Sequence, residues 1–268
     1  MKRVLTLILA AALLCTALLS GCSGKQEEAS ADLLARIKEK GEITIAMEGT
    51  WSPWTYHDDN DELVGYDVEV GELIADYLGV KPNFVEGEWE GILAGVESGR
   101  YDIMINGFTV DDDRREKYNI TNAYAYDRTA VLVRSDNEDI QSLADLNGKK
   151  TANTISSTYA KVAEANGAEV TGVDDLNQTF ELLLSGRIDA TLNSVLAYND
   201  YMFAHPDAEM KIAVLTDQAE EMGIPMKKDA DTDSLRDEIN KAIDELRKSG
   251  RLAEISFKYF GTDISSIN

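Results

Sequence analysis

Apolar positions along this chain follow two rhythms. Short apolar-rich runs at residues 43–47, 103–106, 130–133, 190–193 and 212–215 predict strands. Residues 68–78, 159–165 and 235–246 place apolar side chains at three- and four-residue spacing and predict helices. Single strands alternating with helices are the pattern of an α/β fold, with mostly parallel sheets flanked by helices on both faces. One unit occurs twice: Ser98-Gly99-Arg100 and Ser185-Gly186-Arg187 each end a helical pattern and lead into a strand-like run. Glycine there supplies the left-handed residue that closes a helix, and arginine suits the negative helix end. Ser-Gly-Arg is also an ordinary helix stop, but its repetition fits two α/β lobes of similar build.

The start of the chain is patterned differently. Lys2 and Arg3 precede an apolar stretch over residues 4–14, and the small residues Ser20 and Gly21 stand before Cys22. That is the layout of a secretory signal, residues 1–21. The stretch falls short of the roughly 20 apolar residues of a membrane span. Residues 22–30 are small, polar and charged and read as a flexible tether.

Composition narrows the partners. The chain carries 49 acidic and 26 basic residues, a net charge of −23, which loss of Lys2 and Arg3 makes more negative. Nucleic acid is a poor partner for such a surface, because phosphate binding needs clustered Lys and Arg. Cys15 leaves with the signal, so Cys22 is the remaining thiol, and packing rather than an intramolecular disulfide must hold the exported chain. His57 and His205 show no metal-ligand spacing, and there is no glycine-rich phosphate loop. No metal and no cofactor is expected.

Three segments carry candidate ligand-holding chemistry. Thr109-Val110-Asp111-Asp112-Asp113-Arg114 follows a strand and opens a short helix; the carboxyl end of a strand is where α/β folds bind ligands. Thr109 can cap that helix and Arg114 can pair with a carboxylate, although an acidic helix start with a surface arginine reads the same way. Trp51, Trp54 and Trp89 fall at strand or helix ends, where they either sandwich a ligand or pack the core. Ser156-Ser157-Thr158 is a second hydroxyl-rich helix start, offering N–H groups to an anion or serving as a plain cap.

With Gly49-Thr50-Trp51-Ser52-Pro53-Trp54, Gly65-Tyr66-Asp67-Val68-Glu69-Val70, Ser142-Leu143-Ala144-Asp145-Leu146-Asn147-Gly148-Lys149, Gly186-Arg187-Ile188-Asp189-Ala190 and Lys258-Tyr259-Phe260-Gly261, these segments resemble the extracellular amino-acid-binding proteins of ABC importers. The resemblance implies the type II periplasmic-binding-protein fold: one lobe from residues 31–126 plus 222–268, a second from 127–221, and a two-strand hinge. It implies that Arg114 clamps the ligand carboxylate with help from Thr109, that Trp51 and Trp89 sandwich the side chain, and that the Gly107 carbonyl meets the ammonium. Ser156, Ser157 and Thr158 would close over the carboxylate, and Glu48 would face the amine or side chain. Where many relatives place an aspartate for the ammonium this chain has Ser194, which leaves the amine site open.

The resemblance is strongest to cystine-binding lipoproteins of Gram-positive bacteria, on Ala123-Tyr124-Ala125-Tyr126-Asp127-Arg128-Thr129-Ala130 and Thr151-Ala152-Asn153-Thr154-Ile155-Ser156-Ser157-Thr158-Tyr159. It implies lipidation at Cys22, attachment to the outer face of the cell membrane, a monomer working with membrane permease subunits, and an amino acid such as L-cystine as ligand. Arg128 is a candidate for the distal carboxylate of cystine or a structural hinge arginine. The competing class is an exported dehydratase on the same fold, using an acid such as Glu48 or Glu90.

Overall fold

A computed structural model of the chain describes residues 32–267. The segments expected to be a signal (1–21) and a tether (22–30), with Cys22, lie outside the described residues. The chain begins with α1 (Leu33–Lys40), β1 (Glu42–Met47), a ribbon of β2 (Thr50–Trp51), β3 (Thr55–His57) and β4 (Leu63–Val64), then α2 (Tyr66–Leu78), β5 (Lys81–Glu86), α3 (Trp89–Ser98) and β6 (Ile103–Met104). β1 pairs in parallel with β5 on one side and β6 on the other. As the middle strand it is covered on both faces, and Ile43, Ile45, Ala46 and Met47 are fully buried. This is why its sequence runs apolar from Ile45 to Met47 instead of alternating, with the half-buried Thr44 nearer its start.

The chain continues through α4 (Asp112–Lys117), β7 (Tyr118–Ile120) and β8 (Ala125–Asp127) into a second sheet. That sheet uses β9 (Thr129–Arg134), β10 (Lys150–Asn153), β11 (Glu169–Gly172), β12 (Ala190–Ser194) and β13 (Met210–Leu215), with α5 (Thr158–Ala165), α6 (Leu176–Leu184) and α7 (Val195–Ala204) between them. The strand order is β11-β10-β12-β9-β13. β10 is parallel to β11 and β12, whereas β9 runs antiparallel to both its neighbours. The departure from a parallel sheet has a simple origin: β9 carries the chain away from the first lobe, and β13 brings it back. Val131 and Val133 face one apolar layer with Leu146 and Leu192, while Ala130 and Leu132 face another with Phe180 and Leu183, as strand alternation requires.

The return path is β14 (Glu220–Met222), β15 (Pro225–Lys227), α8 (Asp233–Lys248) and α9 (Arg251–Phe260). β14 lies antiparallel to β8 and β15 to β7, so the two crossings between the sheets run side by side. α8 buries the stripe Leu235, Ile239, Ala242, Ile243 and Leu246 in the first-lobe core, beside Ile74 of α2 and Leu252 of α9.

The repeated helix stop is the same structure twice. Gly99 and Gly186 have φ of 75° and 71°. Gly99 N–H donates to Val96 O and Arg100 N–H to Gly95 O; Gly186 N–H donates to Leu183 O and Arg187 N–H to Leu182 O. Both close a helix with the paired bonds of a Schellman turn and send the chain into a buried strand. The Arg100 guanidinium lies over the Tyr101 ring, 4.5 Å from its centroid, rather than over the helix end.

Candidate functional site

A cavity opens between the lobes. The first lobe lines it with Glu48, Thr50, Trp51, Trp89, Asn106, Gly107, Thr109 and Arg114; the second with Asn153, Thr154, Ser157, Thr158, Tyr159, Asp175, Leu176, Thr179 and Asn193. Most of these residues sit at or just after the carboxyl ends of β1, β6, β10 and β12 or in the first turns of α3, α5 and α6, while Thr50 and Trp51 form β2 and Arg114 lies in α4. Ligands of α/β folds sit outside the strand carboxyl ends, where the amino ends of the following helices direct free backbone N–H groups toward them.

Arg114 is the basic residue of this lining, and it is only 7% exposed. Asp111, not the expected Thr109, caps its helix: Asp111 Oδ1 accepts the Arg114 N–H at 2.7 Å. The carboxylate three residues ahead reaches that N–H as an N-cap does, which leaves Thr109 to line the cavity. Arg114 Nη1 donates to the Thr109 carbonyl at 2.7 Å. Its guanidinium lies 4.2 Å from the Phe108 ring centroid and 5.4 Å from that of Trp89. Burial pushes its pKa down, opposed by the charges of Asp111 and Glu220, and an arginine keeps its proton in such a setting. Seated on aromatic faces with N–H groups to spare, it is prepared for a bidentate carboxylate.

The wall beside it depends on Gly107. Its φ is 50°, and an added Cβ would overlap the Trp51 ring, at 2.7 Å from Cη2. Glycine is what lets that ring lie against the backbone. Gly107 N–H donates to Asp67 Oδ2 at 2.7 Å, and the Tyr124 hydroxyl donates to Asp67 Oδ1 at 2.7 Å. Burial raises the Asp67 pKa to about 7 against the pull of these two donors. Trp51 stacks on the wholly buried Trp54 at 5.5 Å, and Trp89 stacks on Phe108 at 6.1 Å. Trp51 and Trp89 thus form the seam between core and cavity, and Trp54 belongs to the core.

Two acids reach the cavity from opposite lobes. The Glu48 carboxylate accepts from Asn106 Nδ2 at 2.7 Å, and burial, with smaller effects from Glu88, Glu90 and Asp175, raises its pKa to about 7 against that bond. Asp175 caps α6 through the Gln178 N–H at 3.0 Å. Asn153 donates to the Leu192 carbonyl at 2.7 Å, while its Oδ1 is buried without a hydrogen-bond partner. The lining therefore pairs one cation with acceptors suited to ammonium.

Three of the expected residues lie elsewhere. Ser156 is outside the lining; its hydroxyl donates to Glu90 Oε1 at 3.1 Å and its carbonyl accepts from Arg114 Nη2 at 3.4 Å. Ser194 is 1% exposed, caps α7 by accepting from the Leu196 and Ala197 N–H groups, and donates to Asp127. Its neighbour Asn193 lines the cavity instead, because successive strand residues point to opposite faces. Arg128 donates through Nε to the Thr216 carbonyl at 2.6 Å and is not part of the lining, which fits the structural hinge reading. Ser157 and Thr158 do line the cavity; the Ser157 hydroxyl accepts from the Ala160 N–H at 3.1 Å and caps α5.

Asp175, Thr179 and Asn193 were not expected at the site. Asp175-Leu176-Asn177-Gln178 is a readable helix-start pattern, an Asn/Asp/Ser/Thr cap followed three residues on by Gln. It lies in the same position relative to its strand as the Ser157 start does. Among the described residues, no group of three or more His, Cys, Asp or Glu is placed to hold a metal ion.

Residues 43–262 match the bacterial extracellular solute-binding proteins, family 3. The chain is 39% identical over 244 residues to the L-cystine-binding protein TcyA of Bacillus subtilis (strain 168), covering 90% of this chain and 89% of that one. An ancestral arginine-binding protein bound to arginine overlays with a TM-score of 0.77 at 33% identity, covering 82% of this chain and 99% of that one. The L-cystine solute receptor of Neisseria gonorrhoeae, in its unliganded open conformation, overlays with a TM-score of 0.60 at 36% identity, covering 89% of this chain and 100% of that one. With its two lobes around a cleft lined by Arg114, Glu48, Trp51 and Trp89, this chain belongs to the family 3 bacterial extracellular solute-binding proteins.

Proposed function

We propose that this chain captures a polar amino acid, with L-cystine as the preferred ligand, and hands it to an ABC permease while anchored through Cys22 to the outer face of the cell membrane. The observation that carries the reading is the buried Arg114 guanidinium, seated on Phe108 and Trp89 at the cavity with part of its donor set open. A ligand α-carboxylate satisfies it, and Glu48, Asp175 and the unpartnered Asn153 Oδ1 supply the charge and acceptors that Ser194 does not. The preference for cystine draws on the similarity to TcyA and to the Neisseria receptor. Because Arg128 is tied to Thr216, the distal carboxylate of cystine falls to neutral donors: the Ser157 and Thr158 hydroxyls, the start of α5 and Asn193. The chain binds and releases; transport is the permease's work.

Calorimetry of the soluble domain against the amino acids and L-cystine tests this reading. L-cystine should bind most tightly, and Arg114→Ala should weaken it at least about a hundredfold, the loss of charge-assisted bonds worth about 3 kcal/mol. If no amino acid binds at millimolar concentration, the proposal fails. Lipid attachment is checked separately by membrane fractionation of a Cys22→Ser variant, which should move to the soluble fraction.

A further inference from the structure

The second lobe packs on the first through apolar residues, Leu176, Leu196 and Ala197, and makes polar contacts with it at the cleft through one short stretch of chain, from Ser156 to the second turn of α5. At its far end the Lys161 ammonium lies 3.2 Å from Asp111 Oδ2 and 2.8 Å from Asp113 Oδ2. Both acids belong to the start of α4, on the first lobe. At the near end, the Ser156 carbonyl accepts a hydrogen bond from Arg114 and the Ser156 hydroxyl donates one to Glu90. Among the described residues, the ion pairs of Lys161 are those that span the mouth of the cleft; the other acid–base pairs join residues of one lobe or lie beside the hinge.

We propose that Lys161 is a closure latch: it pairs with Asp111 and Asp113 only when the lobes are together, and so sets how long a captured ligand is held without touching that ligand. Asp111 gives the latch a second consequence. Its Oδ1 caps the helix that presents Arg114, while its Oδ2 receives the lysine, so one carboxylate joins the ligand clamp to the closing contact. The groups are partly exposed, and a pair of this kind contributes little to a fold in which it is always formed. Its leverage comes from being formed in one conformation alone: a contact made only in the closed state shifts the open–closed balance by its full worth, and ligand affinity moves with it.

The experiment uses the soluble domain with L-cystine as probe. Lys161→Gln, which keeps the aliphatic stem, should weaken binding about fivefold, with the change in the dissociation rate. Lys161→Asp should weaken it further, since a third carboxylate then faces Asp111 and Asp113. The exchange Lys161→Asp with Asp113→Lys should recover most of the loss, and the wild-type advantage should vanish near 1 M salt. The melting temperature of the ligand-free protein should stay within about a degree of wild type. An unchanged dissociation rate, a loss that persists in high salt, or a charge exchange that restores nothing would each overturn the latch. A second arm does not depend on which ligand binds: in small-angle scattering of the ligand-free protein, Lys161→Asp should give a larger radius of gyration than wild type. Identical curves count against the latch even if L-cystine proves not to be the ligand.

Discussion

Glu48 ties ligand affinity to pH with a sign and size that follow from its surroundings. In the ligand-free cleft its pKa is raised to about 7, chiefly by burial. Such a carboxylate is about one-quarter protonated at pH 7.5 and about nine-tenths at pH 6. An ammonium beside it favours the charged form and draws the pKa back toward the ordinary range, so binding expels the proton. The dissociation constant should therefore rise about eightfold between pH 7.5 and pH 6, a cost of about 1.2 kcal/mol. Calorimetry in two buffers of different ionisation heat reads the released proton directly, about 0.2 per ligand at pH 7.5 and about 0.9 at pH 6. Glu48→Gln should bind more weakly at pH 7.5 and show no such slope. A wild-type affinity that stays flat across this range, or a slope that survives in Glu48→Gln, refutes the placement of an ammonium at Glu48.

Three further outcomes follow from the same structure. Gly107→Ala forces a Cβ into the Trp51 ring at a left-handed φ and should destabilise the domain by about 2 to 4 kcal/mol, read as a lower urea midpoint. Ser194→Ala should cost about 1 to 2 kcal/mol through its cap and leave ligand affinity within twofold, because Asn193 and not Ser194 faces the cavity; a large affinity loss would return Ser194 to the site. Asp67 and Asp127 have pKa values raised to about 7 by burial, above those of the unfolded chain, so the folded state holds their protons more tightly. Their contribution is fully present below the unfolded pKa near 4 and is lost as pH rises through about 7. The unfolding free energy from urea titration should accordingly be larger at pH 5.5 than at pH 7.5, by on the order of 2 kcal/mol for each group.

Four of the five strands readable in the sequence are largely buried, and the fifth, residues 212–215, is a half-buried edge strand. Residues 45–47 and 130–133 show as apolar runs because both of their faces are buried. β5, Lys-Pro-Asn-Phe-Val-Glu, lies at a sheet edge with Lys81, Asn83 and Glu86 exposed, so it carries no such signature. α7 is apolar around much of its circumference because it leans on both lobes, with Ala197 in the first-lobe core and Val195 against the second, which erases the stripe that marks a helix. At the site, Arg114, Glu48 and the tryptophans are single chemical types in recognisable places. Asp175 and Asn193 matter only because the other lobe faces them, a relation between distant segments that spacing along the chain does not encode. Ser194 differs from Asn193 by one step of strand alternation, a distinction made by register rather than by composition.

The side-by-side crossings give the second sheet an unusual independence. Asp127 and Glu220 are register partners, as are Ala125 and Met222, so the chain enters and leaves that half of the protein through one narrow doorway. Its two ends are neighbours in space although nearly a hundred positions apart in sequence. A segment with adjoining ends can be replaced or recombined as a cassette when the incoming piece restores the packing of α7 through Ala197 on the first-lobe core. One wall of the cleft is thus exchangeable as a block: Asn153, Ser157, Asp175 and Asn193 travel together, while Arg114 and its aromatic seat stay behind. Such a protein can change what it recognises in a single recombination and keep how it recognises it.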